Sequence, residues 1–222
     1  MIRVFTGYDP REAIGHAVFV QSLLDHATQP LQITPLAETG MPAGSNAFTY
    51  SRFLVPWLCD FEGWAIFLDG SDMLMQADIA ELYALRDPQY AVQCVQHAPY
   101  KTRHPIKYRG TSMQCPNRDY ARKNWASAML INCEHPAWPG VRSCVMQGDD
   151  STRLAVLQLT ILNAHIGPSL PCRWNVLADE GQPIEGAAVL HWTAGGVFIP
   201  SYADSPGAAL WRAARDRMLE IP

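Results

Sequence analysis

The stretch that most constrains the fold is WAIFLDGSDML, residues 64–74, where an apolar run of strand length stops abruptly in acidic and small residues. A strand of this kind delivers Asp69 and Asp72 at its carboxyl end, the edge where open α/β sheets place their ligand crevices. Two carboxylates so close repel each other unless something positive sits between them. Hard oxygen ligands suit Mg²⁺ or Mn²⁺, and Gly70 with Ser71 lets the chain turn tightly enough for both side chains to face one ion. The competing reading is a solvated turn, because Asp, Gly and Ser are ordinary turn residues.

The rest of the chain alternates strands and helices around this point. IRVFTGY is a β-branched and aromatic run, and Asp9 with Pro10 then stands where a helix begins. From Arg11 to His26 the apolar residues recur at helical spacing. LQITPL reads as a second strand, and AFTYSRFLVPWLCDF follows the turn-forming TGMPAGSN as a helix interrupted around Pro56. Downstream come a short helix in ADIAELYAL led by Asp78, and strands in YAVQCVQH, SAMLINC and AAVLHWTAGG. A terminal helix follows in SPGAALWRAARDRML. The alternation predicts an α/β chain with a mostly parallel sheet flanked by helices, with residues 1–222 as one domain. Residues 98–123 are polar and rich in turn formers, and so long a connection suggests a binding or lid role.

Composition narrows the partners. Hydrophobic residues make up 48% of the 222 and charged residues 17%, enough apolar material for a packed interior. A net charge of −4 leaves no cationic excess for a nucleic-acid backbone, so no nucleic-acid partner is expected. The six cysteines form no CxxC pair, which fits free thiols in a reducing compartment. With neither a long apolar span nor a basic, apolar leader, the chain is expected to be cytoplasmic. The terminal helix, with Leu210, Trp211, Arg212, Arg215 and Leu219, suits either packing on the sheet or peripheral contact at the inner face of a membrane.

Four segments carry a resemblance. FTYSRFLVPWLCDFEGWAIFLDGSDMLMQADIAELY resembles the core of glycosyltransferase family 8 and its bacterial relatives, where a Y-x-R helix precedes a strand ending in a D-x-D metal motif. VLHWTAGG resembles that family's H-x-x-G segment, KNWASAMLINC its F-N-[AS]-G-V-[ML]-L-I-N strand, and LPCRWNVL its L-P-x-x-W-N segment. The resemblance implies a GT-A, Rossmann-like fold and a metal held by Asp69, Asp72 and His191. It further implies Asp69, Asp72, Asn124 and Gln158 as catalytic positions. Tyr8, Asp9, Arg52, Asp69 and Ser127 would hold a nucleotide diphosphate sugar, with Mn²⁺ or Mg²⁺ as cofactor.

This chain also departs from the family pattern. Its spacing is D-x-x-D, so either both aspartates bind the metal through a wider turn, or Asp72 binds alone while Asp69 contacts the nucleotide. Joint binding is the reading adopted. The K-P-W after H-x-x-G is absent, which leaves Lys101, Arg103 or Lys107 to supply a cation for the diphosphate. Of the family's D-Q-D only Gln158 is kept, with Leu157 and Leu159 in place of the acids.

Each role has a plainer competitor. His191 could be a packing residue after its strand, Arg52 a helix-face ion pair, and Asp9 an N-cap. The expected reaction is transfer of a hexose from a UDP-sugar to a hydroxyl of a glycan or other acceptor, with retention as the resemblance implies. An inverting route would need a carboxylate base, for which Asp149, Asp150, Asp179 and Glu180 are candidates. A sugar-phosphate nucleotidyltransferase would need a glycine-rich basic loop after the first strand, and GYDPREA offers one glycine. A non-catalytic chain that binds nucleotide or glycan is the remaining alternative.

Overall fold

In the computed structural model, which describes residues 1–37 and 44–220, the strand–helix alternation is realised. In chain order the elements are β1 (Ile2–Gly7), α1 (Ala13–His26), β2 (Leu31–Leu36), α2 (Val55–Leu58), β3 (Trp64–Leu68), β4 (Met73–Met75) and α3 (Ile79–Tyr83). They continue as β5 (Val92–Cys94), β6 (Ile106–Lys107), β7 (Cys115–Pro116), β8 (Ala128–Asn132), α4 (Val141–Gln147), α5 (Asp150–Leu157), β9 (Val176–Leu177), β10 (Val189–His191) and α6 (Ala208–Leu219). The turn expected in TGMPAGSN lies largely outside the described residues.

The central sheet has the order β2-β1-β3-β8-β5. Strands β1, β2 and β3 pair in parallel, while β8 runs antiparallel to both β3 and β5. Four of the five strands therefore share a direction, and the exception is β8. Side-chain alternation splits the core between the two faces. Phe67, Met129 and Ile131 point to the side packed by Phe53, Trp138, Val141 and Val156. Ile66, Leu68 and Leu130 point to the side packed by Phe19 and Leu23 of α1. Burial of each such side chain stabilises the fold by about 1.5–3 kcal/mol.

A smaller sheet, β4-β10-β9, extends from the turn after β3. Here β10 pairs antiparallel with β4, so that His191 lies opposite Met73. Pro56 is accommodated differently from the expectation. It stands in the first turn of α2, where a proline lacks no helical hydrogen bond, and a 3-10 turn over Ser51–Leu54 leads into it. The interruption therefore precedes the proline. Asp9 and Asp78 cap their helical turns as the sequence suggests, accepting from the backbone N–H of Arg11 and Ala80.

Residues 98–123 are tied down. The Asn117 amide donates to Thr102 Oγ1 at 2.9 Å, the Arg103 N–H to Glu180 Oε2 at 2.7 Å, and the Tyr108 N–H to the Ala194 carbonyl at 2.7 Å. The segment forms a fixed wall beside the carboxylate turn.

Candidate metal centre

Three glycines shape the turn that follows β3. Gly70 adopts φ +85°, in the left-handed region that favours glycine. A Cβ on Gly7 would come within 2.6 Å of the Asp69 carbonyl, and one on Gly15 within 2.3 Å of the Ser71 carbonyl. Strand β1 and helix α1 thus press directly against the turn and bury Asp69 (8% exposed), Ser71 and Asp72 (4%).

The small sheet supplies the third group. Because His191 is opposite Met73, and the Trp192 N–H donates to the Asp72 carbonyl at 2.9 Å, the imidazole arrives beside Asp72. Its Nε2 stands 3.6 Å from Asp72 Oδ2. Its Nδ1 meets Asn175 Oδ1 at 2.9 Å, an oxygen that can only accept, so Nδ1 carries the proton and Nε2 is turned toward the carboxylates. Asn175 is itself held, since its amide donates to the Asn124 carbonyl and to Ser127 Oγ at 3.1 and 3.0 Å. Potential ligand atoms of Asp69, Asp72 and His191 all lie within 4.8 Å of one another.

These residues fit a divalent cation. Asp72 Oδ1 and Ser71 Oγ are buried with no hydrogen-bond partner among the described residues. Two carboxylates and an imidazole form a hard oxygen and nitrogen donor set. The two aspartates are also electrostatically unlike. Burial pushes Asp69 up to about 6 despite the pull of Arg52, with Asp72 adding to the rise. Burial opposes ionisation of Asp72 as well, but His191 and Lys107 outweigh it and hold this carboxyl below its usual value. Burial likewise works against a charged His191, and the neighbouring Asp72 overrides it to raise the imidazole.

Arg52 is the cationic counterweight. Its Nη1 lies 2.5 Å from Asp69 Oδ1 and donates to the Ala126 carbonyl at 2.8 Å, while Nε donates to the Thr49 carbonyl at 3.0 Å. The guanidinium is stacked over Phe67, 5.0 Å from the ring centre. It also lines the cavity above the carboxylates, together with Lys107, Tyr120, Asn124, Ser127 and His191. That cavity holds about 60 Å³, the scale of an ion rather than a nucleotide. Asn124 is in the left-handed region at φ +63°, which asparagine tolerates, and its amide donates to the Tyr100 hydroxyl at 2.7 Å.

Not every expected residue joins this cluster. Gln158 forms the C-cap of α5, and the residue facing the cavity there is Leu157. Tyr8 lies outside the cavity lining, edge-on to His16 at 5.1 Å. Asp9 is fully buried with both oxygens engaged, Oδ1 by Arg11 and Oδ2 by Arg11 and the Ala47 N–H. Of the three cations suggested for the diphosphate, Lys107 lines the cavity and Lys101 and Arg103 do not.

One titratable neighbour was hidden in the sequence. Glu12 reads there as part of a helix start, but it is 1% exposed, and its Oε1 has no hydrogen-bond partner among the described residues. Burial, reinforced by Asp72, pushes its carboxyl up to about 8. A carboxyl with a folded pKa above its ordinary 4.5 binds its proton more tightly when folded. Its contribution to stability is complete below about pH 4.5 and is lost as pH rises through about 8. Glu12→Gln is expected to flatten the fall in melting temperature across that window. A fall as steep as that of the parent chain would assign it to other groups.

Comparison with known proteins fits this architecture. No family model matches the chain. Protein CDI of Arabidopsis thaliana is 34% identical over 225 residues, spanning 94% of this chain and 84% of that protein. The chain belongs to the Protein CDI family. Among solved structures, galactosyltransferase LgtC in complex with donor and acceptor sugar analogues superposes with a TM-score of 0.62 at 15% identity, over 100% of this chain and 98% of LgtC. The Streptococcus pneumoniae TIGR4 glycosyltransferase GlyE gives a TM-score of 0.60 at 14% identity, over 97% of this chain and 61% of GlyE. The bifunctional glycosyltransferase WbbM gives 0.59 at 14% identity, and the chain spans about half of it, 51%. The fold of this CDI-family chain is thus the GT-A fold of these glycosyltransferases, in line with the resemblance to family 8. No helix among the described residues is long and apolar enough to cross a membrane.

Proposed function

We infer that this CDI-family protein is a metal-dependent glycosyltransferase that moves a hexose from a nucleotide diphosphate sugar, a UDP-sugar by the resemblance, to an acceptor hydroxyl. The observation that carries the reading is the convergence of Asp69, Asp72 and His191 at the carboxyl edge of a GT-A sheet, with the Arg52 guanidinium and the Lys107 ammonium in the same cavity wall. Asp69, Asp72 and His191 would hold Mn²⁺ or Mg²⁺, which when bound neutralises charge on a leaving diphosphate.

The chain's own residues do the rest. Arg52 pairs with the Asp69 carboxylate and lines the cavity, where its guanidinium would meet a phosphate oxygen. Lys107 has no acidic partner among the described residues and lies where a second phosphate oxygen would need a cation. Asn175 fixes the imidazole tautomer, and Asn124 and Ser127 present polar groups at the floor for sugar hydroxyls.

Retention of anomeric configuration is favoured by the carboxylates. Those in the cavity lining are Asp69 and Asp72. Asp149 caps α5, Asp150 accepts from the Arg153 guanidinium, Asp179 accepts from the Thr193 and Ala194 N–H groups, and Glu180 from the Arg103 N–H, so all four candidate inverting bases are engaged elsewhere.

The test is a thermal-shift screen of the chain against UDP, GDP, ADP and CDP, each with Mn²⁺ and with chelator. UDP is expected to raise the melting temperature only with Mn²⁺, because a ligand that binds the native state alone stabilises it. Equal behaviour of all four nucleotides, or a shift that survives chelation, would overturn the donor assignment.

A further inference from the structure

On the far side of strand β6 from the metal centre lies a larger cleft of about 530 Å³ that the reading above does not use. The strand is the partition between the two. Its adjacent residues alternate, so that Lys107 lines the metal cavity and Ile106 the cleft. Residues 98–123, which supply one wall, carry seven lysines and arginines against one acid, Asp119, in a chain whose net charge is −4.

The cleft presents two guanidiniums, those of Arg103 and Arg109, and neither pairs with an acid among the described residues. Both are set in place through the backbone. The Arg109 N–H donates to the Tyr202 hydroxyl at 3.2 Å, and that hydroxyl donates to the Ile106 carbonyl at 2.9 Å. Arg103 is anchored through its N–H to Glu180, and its guanidinium lies across Gly181, where a Cβ would approach Nη1 to 2.0 Å. Gly181 adopts φ +81°, so glycine serves there both the turn and the seat of the arginine.

The acids nearby do not neutralise this pair. Asp179 at the floor is buried and spends both oxygens on the Thr193 and Ala194 N–H groups, and Glu180 accepts from the Thr102 hydroxyl and the Arg103 N–H, which leaves the exposed Asp204 at the rim. Ser201 adds an exposed hydroxyl, and Ile106 with Pro105 and Pro200 gives an apolar side. Two forked donors, a hydroxyl and an apolar wall match a saccharide that bears a carboxylate or phosphate.

We propose that this cleft is a binding site for an anionic saccharide, separate from the metal centre. The test is calorimetry of the full chain at low salt with tri-galacturonate, with glucose 6-phosphate, and with neutral maltotriose. One of the two anionic probes is expected to bind and maltotriose is not. Binding of tri-galacturonate identifies a carboxylate site, and binding of glucose 6-phosphate a phosphate site. Arg103→Ala and Arg109→Ala are each expected to weaken it about tenfold or more, the loss of a charge-assisted hydrogen bond. Asp72→Asn should leave this binding unchanged, which separates the cleft from the metal centre. Both arginines are exposed and bond through their backbones, so the variants should fold and keep any Mn²⁺-dependent nucleotide shift. Failure of both anions to bind at millimolar concentration would overturn the proposal, as would equal binding of maltotriose or unchanged affinity in the arginine variants.

Discussion

Asp72→Asn is expected to abolish the Mn²⁺-dependent nucleotide shift and to lower any transferase activity by about a thousandfold or more, the scale of losing the main electrostatic stabilisation of a leaving group. The amide matches the carboxylate in shape, and the hydrogen bond from the Trp192 N–H to the residue-72 carbonyl is untouched. What disappears is the negative charge that faces His191 Nε2 at 3.6 Å and that His191 and Lys107 keep ionised against the cost of burial. Asp69 does not replace it, because its carboxylate is already paired with Arg52. The melting temperature without ligand should change little, since the substitution removes a buried charge as well as its partner's attraction. The measurement is thermal shift with and without Mn²⁺, alongside donor hydrolysis. An undiminished Mn²⁺ shift would remove Asp72 from the metal centre and leave the D-x-x-D turn a structural feature.

The same experiment on Asp69→Asn separates the two readings of the longer spacing. If both aspartates share the ion, both substitutions lose the shift. If Asp72 binds alone, Asp69→Asn keeps the shift with Mn²⁺ and weakens the nucleotide contact.

What the sequence revealed and what it hid follow from how each feature is encoded. The strand that ends in Asp69 is written locally, as an apolar run stopped by small and acidic residues, and it appears where expected. The helix caps at Asp9 and Asp78 are local too. The direction of β8 is not. AMLIN is buried on both sides, so its pattern is the same whichever way it runs, and only its pairing with β3 and β5 reveals that it is reversed. The burial of Glu12 depends on how closely Gly7 and Gly15 allow β1 and α1 to approach the turn, a distance no single segment carries. Asn175 lies in a segment that the family resemblance picks out, yet its role emerges only when His191 comes within 2.9 Å. Gln158 matches a motif by position, but the left-handed backbone at Leu159 ends α5 so that Leu157 faces the cavity instead. Helices α4 and α5 are short and lie among turn-forming residues, and neither is among the expected elements; the cap that Asp149 gives α5 shows only in the structure.

Arg52→Leu is expected to destabilise the protein by about 3–5 kcal/mol, the range for breaking a buried ion pair by removing one partner. For a chain of this size that lowers the melting temperature by about 10 °C. Leucine keeps the contact with Phe48 and Phe67, so the loss comes from polar groups. The Ala126 and Thr49 carbonyls lose their donor, and Asp69 is left as a buried charge beside Asp72. The two contributions can be separated. In Arg52→Leu with Asp69→Asn the uncompensated charge is gone, so the double variant should melt above the single one although it carries more changes. Acid should act in the same direction. Because Asp69 already takes up its proton near pH 6 with Arg52 present, lowering the pH neutralises it and should shrink the gap between Arg52→Leu and the parent chain. If the single variant melts within a degree or two of the parent, or the double variant melts no higher than the single one, Arg52 does not stabilise the protein through Asp69.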